Sequence, residues 1–186
     1  MIWGSESDII SLKMIETSDG VSNSKEVFWS PTKGELTLAL VITEISSFIN
    51  EHKHASYRVV VGTDSQAKRI NGDAEIDFVS AIVIHRIGRG GRYFYNKHRE
   101  HKKYVLRDKI YTETLLSLQL AERLVPELRR AIPASSYDLE IHIDVGPIGP
   151  TRDMIKEVVG MVTGSGYVAK TKPESYGASS IADKHT

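Results

Sequence analysis

The sequence predicts a single α/β domain in which helices cover a mixed five-stranded sheet. Three strand-like stretches come first and are separated by short turns, and strands then alternate with helices. Strands joined by hairpins pair antiparallel, whereas strands joined through a helix pair parallel, so this order implies a mixed sheet. At 186 residues, of which 40% are hydrophobic, the chain is large enough to form one such core.

The N-terminal part of the chain is predicted to hold an extension followed by one helix. Residues 1–30 are mixed and polar with scattered serines, and we expect them to be poorly structured. Residues 31–186 then form the single domain. Ser30 is a candidate N-cap and Pro31 suits the first helical position. Apolar residues at helical spacing predict an amphipathic helix within residues 31–50, packed on the core.

Three strands are expected next. The first runs from Arg58 to Thr63, is rich in valine and ends at Asp64. The second is AEIDFVSAIVIHRIG and the third is GRYFYNKHRE, with turns predicted at residues 71–73 and 88–91. These three strands therefore form consecutive antiparallel hairpins.

From about Lys109 the apolar residues recur at helical spacing, and Pro133 ends this long helix. The alternating stretch DLEIHID predicts a fourth strand that ends at Asp144. A helix from Met154 to Met161, a short strand in YVAKTK and a last helix in SYGASSIADKHT follow. The predicted order is βββαβαβα, preceded by one helix.

Four acidic residues lie where these elements would bring them together. Asp64 and Asp144 end predicted strands, Glu113 lies early in the long helix, and Asp183 lies in the last helix. If the first and fourth strands are neighbours, Asp64 and Asp144 leave the same edge of the sheet. Clustered carboxylates repel one another and suit Mg²⁺ or Mn²⁺. Each acid alone also fits a turn or a solvated helix surface, and only the four together indicate a metal site.

This order of acids on strands and helices resembles the ribonuclease H-like fold over about residues 56–186. The segments VVVGTDSQ, YTETLL, IHIDVGPIGPTRDMI and YGASSIADKHT are similar to the YkuK-type family of RNase H-like proteins. The final SSIAD also resembles the Asp-bearing closing helix of RuvC-type resolvases. The family assignment thus rests on four separate segments spread over most of the chain.

The resemblance implies a metal-dependent nuclease that hydrolyses phosphodiester bonds of DNA, RNA or a hybrid by a two-metal-ion mechanism. By position, Asp64 would bridge two Mg²⁺ or Mn²⁺ ions. Glu113 and Asp144 would complete the shell of one ion, and Asp183 that of the other. The products implied are 5′-phosphate and 3′-hydroxyl ends.

Two further residues are candidates for accessory roles. Ser65, like Thr63, is placed either to hold the second oxygen of Asp64 or to serve as an ordinary strand hydroxyl. His185 lies near Asp183 and could move protons at the metal site.

Residues 86–109 form a basic segment. They carry nine Lys or Arg against two acids, although the formal net charge of the whole chain is zero. Interleaved aromatic residues suit either a surface that binds phosphates and stacks bases, or a solvated hairpin whose rings pack on the sheet. The sequence supports both interpretations about equally. The candidate substrate-binding residues in this segment are Arg89, Arg92, Lys97 and Arg99.

Other functions remain open at this point. The loops GTDS and DVGPIGPTR slightly resemble those of actin-like ATPases and sugar kinases, but that class normally clamps a nucleotide between two such domains. A catalytically inactive module that binds nucleic acid or protein is the main alternative to a nuclease. The chain has no cysteine, no signal pattern and no membrane-length apolar run, so we expect a cytoplasmic protein without a membrane partner.

Overall fold

The computed structural model of the chain describes residues 26–70 and 73–185, without the side chains of Ile70, Asp73, Ala178, Ala182 and Asp183. The strands are β1 (Val27–Ser30), β2 (Gly34–Thr37), β3 (Tyr57–Ile70), β4 (Asp73–Arg86), β5 (Gly91–Glu100), β6 (Asp138–His142) and β7 (Val168–Lys170). The helices are α1 (Leu38–Asn50), α2 (Leu106–Ala131), α3 (Ile155–Gly164) and α4 (Gly177–His185). None of the helices in these residues is both long and apolar enough to cross a membrane.

The described strands form one mixed sheet in the order β2-β1-β5-β4-β3-β6-β7. The pairs β3–β6 and β6–β7 are parallel, and the remaining pairs are antiparallel. The predicted α/β class and mixed sheet are confirmed. The predicted number of strands is wrong, because seven strands are present where five were expected.

Helices cover both faces of the sheet. Val59 and Val61 of β3 point into the main core, which also takes in buried residues of α1, α2 and α3. On the other face, Ile181 of α4 packs on Val79 and Ala81 of β4. Neighbouring residues that pair across antiparallel strands point to the same face. Residues that pair with Val79 therefore lie on the face of the sheet that α4 covers.

The two additional strands come from the N-terminal part of the chain. Residues 27–30, predicted to belong to a poorly structured extension, form β1, and the fully buried Phe28 explains why. Gly34 turns the chain back into β2 with a positive φ of 72°, which glycine adopts without a steric penalty. Residues 1–25 of the predicted extension lie outside the described residues.

The first helix begins later than predicted. Ser30 does not cap it, because residues 31–37 form the hairpin turn and β2. Thr37 is the N-cap, and its side chain accepts a hydrogen bond from the backbone N–H of Leu40. The helix then packs its apolar stripe on the core as expected, with Val41 and Ile45 fully buried.

The long β3–β4 hairpin departs most from the prediction. β3 continues for seven residues beyond Thr63, and each of its residues pairs with one of β4 from Tyr57 opposite Arg86 to Ile70 opposite Asp73. Of the predicted turn at residues 71–73, positions 71 and 72 lie outside the described residues. The predicted turn before β5 is confirmed.

Candidate metal and nucleic-acid site

Asp64 and Asp144 lie at the same end of two neighbouring parallel strands. β3 and β6 pair from Arg58 opposite Asp138 to Gly62 opposite His142, and each acid comes two residues after the last pair. The first and fourth predicted strands are therefore neighbours, which meets the condition for Asp64 and Asp144 to leave the same edge of the sheet. Asp64 does not end its strand, however, because β3 continues beside β4 and pairs Asp64 with Val79.

Glu113 is the buried carboxylate of this region. It lies about two turns into α2 and is 2% exposed. The hydroxyl of Ser65 donates a hydrogen bond of 2.7 Å to Glu113 Oε1, and Lys109 Nζ lies 3.6 Å from the same oxygen. The Ser65 hydroxyl, a candidate to hold the second oxygen of Asp64, thus binds Glu113. The backbone N–H of Ser65 donates to Asp64 Oδ1 at 2.8 Å.

The pKa of Glu113 reports on the neighbouring acids. Burial is the largest cause and raises this pKa to about 7. The charge of Lys109 and the hydrogen bond from Ser65 lower it, whereas the charges of Asp64 and Asp144 raise it. Asp64 and Asp144 therefore both lie close enough to Glu113 to act on it electrostatically.

Asp144 has a lysine beside it. Lys172 Nζ lies 2.8 Å from Asp144 Oδ1, and the carboxylate is about one quarter exposed. Asp144 Oδ1 is itself buried and accepts no hydrogen bond of good geometry. The Lys172 ammonium is the cation beside this buried oxygen, and a metal ion at Asp144 would have to take its place.

The fourth acid, Asp183, is carried by α4. This helix lies over β3 and β4, where Ile181 packs on Val79, the residue paired with Asp64. Asp183 follows Ile181 by two residues, and its side chain lies outside the described part. The backbone thus places the fourth acid on the helix that covers the face of the sheet bearing Asp64.

A buried histidine fixes the start of α4. His142 Nδ1 accepts hydrogen bonds from the backbone N–H groups of Tyr176 and Gly177, at 3.2 and 3.3 Å. Since Nδ1 accepts, the ring hydrogen is on Nε2, which donates to Glu140 Oε2 at 3.0 Å. A Cβ on Gly177 would lie 2.6 Å from Val60 Cγ1, so only glycine allows the helix to approach this closely. His142 therefore sets the position of the helix that carries Asp183.

The described side chains do not themselves enclose a metal ion. Within residues 26–70 and 73–185, excluding the five side chains named above, no three Asp, Glu or His side chains are grouped tightly enough to do so. Lys109 and Lys172 instead stand beside Glu113 and Asp144. The oxygen ligands are of the kind that Mg²⁺ and Mn²⁺ take, so the residues fit such ions chemically.

Two of the candidate substrate-binding residues lie far from the acids. Arg92 pairs with Ile84, which pairs with Val59, five residues or about 17 Å along β3 from Asp64. Its guanidinium binds Glu44 and Glu51 at 3.1 and 2.8 Å and lies over the ring of Phe48. Arg89 is in the turn at that same end of the sheet.

The other two candidates lie level with the acids. Lys97 pairs with Val79, opposite Asp64, and Arg99 pairs with Asp77, the next residue along on the same face. Both cations bind Asp77, which is 1% exposed. The four candidates of the basic segment thus divide into two groups at opposite ends of the strands.

His185 is held over β5. Its ring stacks on Tyr95 with centroids 4.1 Å apart, and Nε2 lies 3.0 Å from the hydroxyl of Tyr93. Burial is the main cause that lowers the pKa of His185. Since Tyr95 is two strands from β3, the structure places this candidate proton carrier beside the tyrosines, about 10 Å across the sheet from the strand of Asp64.

Several residues of the region were not singled out by the sequence. Lys109 could have been found, because it precedes Glu113 by one helical turn. Asp77 is an acid inside an apolar strand, which is also a detectable signal. Lys172 and the bond between His142 and α4 join residues far apart in the chain and leave no local pattern.

Comparisons with known proteins agree with this architecture. A family model described as Ribonuclease H-like matches residues 40–186. The chain is 31% identical over 170 residues to a protein of Bacillus subtilis (strain 168) named Uncharacterized protein YkuK, covering 86% of this chain and 96% of the relative. No solved structure matches the chain.

The chain belongs to the ribonuclease H-like family. The matched segment of this ribonuclease H-like chain contains all four acids, the β3–β4–β5 hairpins and α4. The β1–β2 hairpin precedes the match and extends the sheet beyond β5. The resemblance of the chain to the YkuK-type proteins is confirmed by the relative.

Proposed function

We propose that this ribonuclease H-like chain is a metal-dependent nuclease that hydrolyses phosphodiester bonds with two Mg²⁺ or Mn²⁺ ions. The main support is Glu113, a buried carboxylate whose pKa is raised to about 7 beside Asp64 and Asp144. A cation between these groups would relieve both the burial of negative charge and the mutual repulsion.

The residues have distinct roles under this proposal. Asp64, whose Oδ1 is held by the Ser65 N–H, would contact both ions, with Glu113 and Asp144 on one side and Asp183 on the other. When bound, the ions would activate a water and stabilise the leaving oxygen. Ser65 would keep Glu113 in place by its 2.7 Å hydrogen bond. Because ligation requires the charged carboxylate, ion binding would release the proton that Glu113 holds near neutral pH.

Asp64→Asn tests the proposal. We expect metal-dependent cleavage of labelled single strands or a DNA–RNA hybrid to fall at least about a hundredfold, since losing even an outer partner of a metal ligand can cost that much. Cleavage is measured with Mg²⁺, Mn²⁺ and EDTA, and ion binding by calorimetry with and without the hybrid. Asp138→Asn, an exposed acid at the other end of β6, is the matched control.

A binding module without catalysis is the second candidate. It is favoured by Lys109 and Lys172, which already neutralise two of the acids without any ion. Cleavage that survives Asp64→Asn would contradict the nuclease site. Wild-type protein that binds nucleic acid but neither takes up ions with the hybrid nor cleaves it would support the binding module instead.

Lys172 gives a prediction about ion affinity. Lys172→Met is expected to tighten Mn²⁺ binding up to about fivefold, because a half-exposed ion pair is worth up to roughly 1 kcal/mol and a cation must displace it from Asp144. Calorimetric titration with Mn²⁺ measures the change. Lys170→Met is the control, since Lys170 pairs with the exposed Glu174. Unchanged or weaker binding in the Lys172 variant would show that the lysine does not compete.

A further inference from the structure

A second charged cluster lies beside the acids, built around Asp77. This residue of β4 is 1% exposed, and Arg99 binds it through Nε and Nη2 at 2.6 and 3.0 Å. Lys97 Nζ and Lys68 Nζ lie 3.1 and 3.3 Å from its Oδ2. With Arg99 as the largest cause, these cations hold the pKa of Asp77 well below its usual range. One buried carboxylate of β4 thus gathers three cations from the two strands beside it, Lys68 from β3 and Lys97 and Arg99 from β5.

The cluster keeps positive charge available to solvent. The side chains of Lys68, Lys97 and Arg99 are 33%, 31% and 45% exposed, whereas that of Asp77 is 1% exposed. Glu75 supplies a second carboxylate, 3.6 Å from Arg99 Nη1 and 3.2 Å from His101. The acids therefore lie inside and the cations outside, which is the arrangement that presents a positive surface to an anion.

The surface lies next to Asp64. On the same face of the sheet, Asp64, Val79 and Lys97 form one row across three strands, and Gln66, Asp77 and Arg99 form the next. Lys97 is two strands, or about 10 Å, from Asp64. Asp77 is the diagonal neighbour of Asp64, and the Cα atoms of these two residues are about 7–8 Å apart. α4 ends here at His185, whose carbonyl oxygen lies 3.4 Å from Lys97 Nζ.

A groove adjoins this surface at Lys68. It has a volume of about 320 Å³ and includes three further cations among its lining residues, Arg69, Lys102 and Lys103. Lys68 borders this groove and also binds Asp77, so the groove meets the cluster at Lys68. Arg69 and Ile76 alternate with the residues of the cluster, so the groove itself lies on the other face of the β3–β4 hairpin.

We infer that Lys68, Lys97 and Arg99 form a binding site for the phosphodiester backbone of nucleic acid, adjacent to the carboxylates. This inference rests on the proposed function, for which it supplies the position of the substrate strand. Each strand of a duplex carries one phosphate per 3.4 Å of helix axis, so the 10 Å between Lys97 and the strand of Asp64, measured along that axis, corresponds to about three nucleotides. Asp77 holds the cations in place before the ligand arrives, which lowers the ordering cost of binding.

Arg92, another cation of β5, lacks this arrangement. Arg92 is bound by two carboxylates of α1 and the residue after it, Glu44 and Glu51, at the opposite end of the sheet. The two carboxylates therefore neutralise the positive charge of Arg92. The cluster around Asp77 has three cations for two carboxylates, and the two carboxylates are the less exposed partners.

The test uses the double variant Lys68→Gln/Lys97→Gln. It leaves the Arg99–Asp77 pair, so the buried carboxylate keeps its closest partner. The reference protein and the double variant both carry Asp64→Asn and are kept in EDTA, so binding is measured without cleavage. Fluorescence anisotropy with a labelled single-stranded 12-mer gives the affinity at several salt concentrations. Lys53→Gln/Arg129→Gln removes the same charge from exposed positions, one between α1 and β3 and one in the last turn of α2.

We expect the double variant to bind at least tenfold more weakly at low salt. The slope of log affinity against log salt should fall by about 1.4, since each phosphate contact on a single strand contributes about 0.7. The control pair should leave both quantities unchanged, and Lys68→Arg/Lys97→Arg should restore them. Thermal melting confirms that all variants are folded.

Three outcomes would overturn the inference. These are an unchanged salt slope in the double variant, an equal loss of affinity in the control pair, and no binding of the 12-mer by the Asp64→Asn reference protein. These outcomes are separate from those for the nuclease. Cleavage by wild type with an unchanged slope would retain the nuclease and reject this site. A reduced slope without any cleavage would retain the site and reject the nuclease.

Discussion

Glu113→Gln is expected to make the metal-free protein about 3 kcal/mol more stable than wild type at pH 8.5, with the difference disappearing near pH 4. Burial is the main cause that raises the pKa of Glu113 from 4.5 to about 7. Each unit of pKa shift corresponds to 1.36 kcal/mol. The side chain is only 2% exposed, so solvent does little to reduce this effect.

The sign follows from which state holds the proton. Between pH 4.5 and 7 the unfolded chain releases the Glu113 proton while the folded protein keeps it, so folding stability falls as pH rises. Above pH 7 the folded protein carries the buried charge and the loss is complete. Glutamine has the shape of the protonated acid, can still accept from Ser65, and carries no charge at any of these pH values.

Urea unfolding from pH 4 to 8.5 in EDTA measures this difference. Glu122→Gln, an exposed position on the same helix, is the control and should stay within about 0.5 kcal/mol of wild type throughout. Parallel stability curves for wild type and Glu113→Gln would mean that Glu113 is charged and well compensated in the folded protein. That result would remove the main support for a cation at this position.

His142→Ala is expected to destabilise the protein by about 3 kcal/mol and to release the first turn of α4. The change removes the acceptor for the N–H groups of Tyr176 and Gly177 and the donor to Glu140. Each buried polar group left without a partner costs about 1–3 kcal/mol. Glu140 keeps Arg58, whose Nε lies 3.1 Å away, which limits the total.

Hydrogen exchange of the α4 amides and urea unfolding measure the two effects. His142→Asn should fall between wild type and alanine, because its side-chain oxygen can accept near the position of Nδ1. His54→Ala, at an exposed position between α1 and β3, is the control. Unchanged exchange in α4 would show that contacts such as that of Ile181 with Val79 are sufficient to hold the helix.

His142 changes folding stability with pH in the opposite direction to Glu113. Burial, the largest cause, lowers the pKa of His142 below 6.5. As pH falls from 6.5, the unfolded chain takes up a proton that the folded protein excludes, so stability decreases. Between pH 4.5 and 6.5 the two groups therefore have opposing slopes. In Glu113→Gln, folding stability should therefore decrease more steeply than in wild type as the pH falls from 6.5 to 4.5.

Much of the fold follows from local patterns in the sequence. The valines before Gly62, the GRGG turn and the alternation in DLEIHID predict strands that the structure contains. The switch to helical spacing predicts α2, and Pro133 follows its last turn. The β1–β2 hairpin was missed because the VFWS stretch is short and lies among polar residues.

The site was less predictable for a physical reason. The position of Asp64 beside Asp144 follows once β3 and β6 are neighbours, since parallel strands point their ends the same way. The division of the basic segment does not follow from its own residues. Arg92 is neutralised by Glu44 and Glu51, which are more than 40 residues away in the chain, and such pairing depends on the complete fold.

The length of the β3–β4 hairpin has a consequence for how the molecule behaves in solution. β6 accompanies β3 only as far as Gly62, so in the described part of the chain the rest of β3 has a strand neighbour on one side only. A strand edge without a partner strand invites pairing with another molecule and aggregation. Asp64, Lys68 and Arg69 place charges along this edge, and charged side chains there oppose the addition of a further strand. The charges that would serve the site therefore also protect the protein from edge-to-edge association.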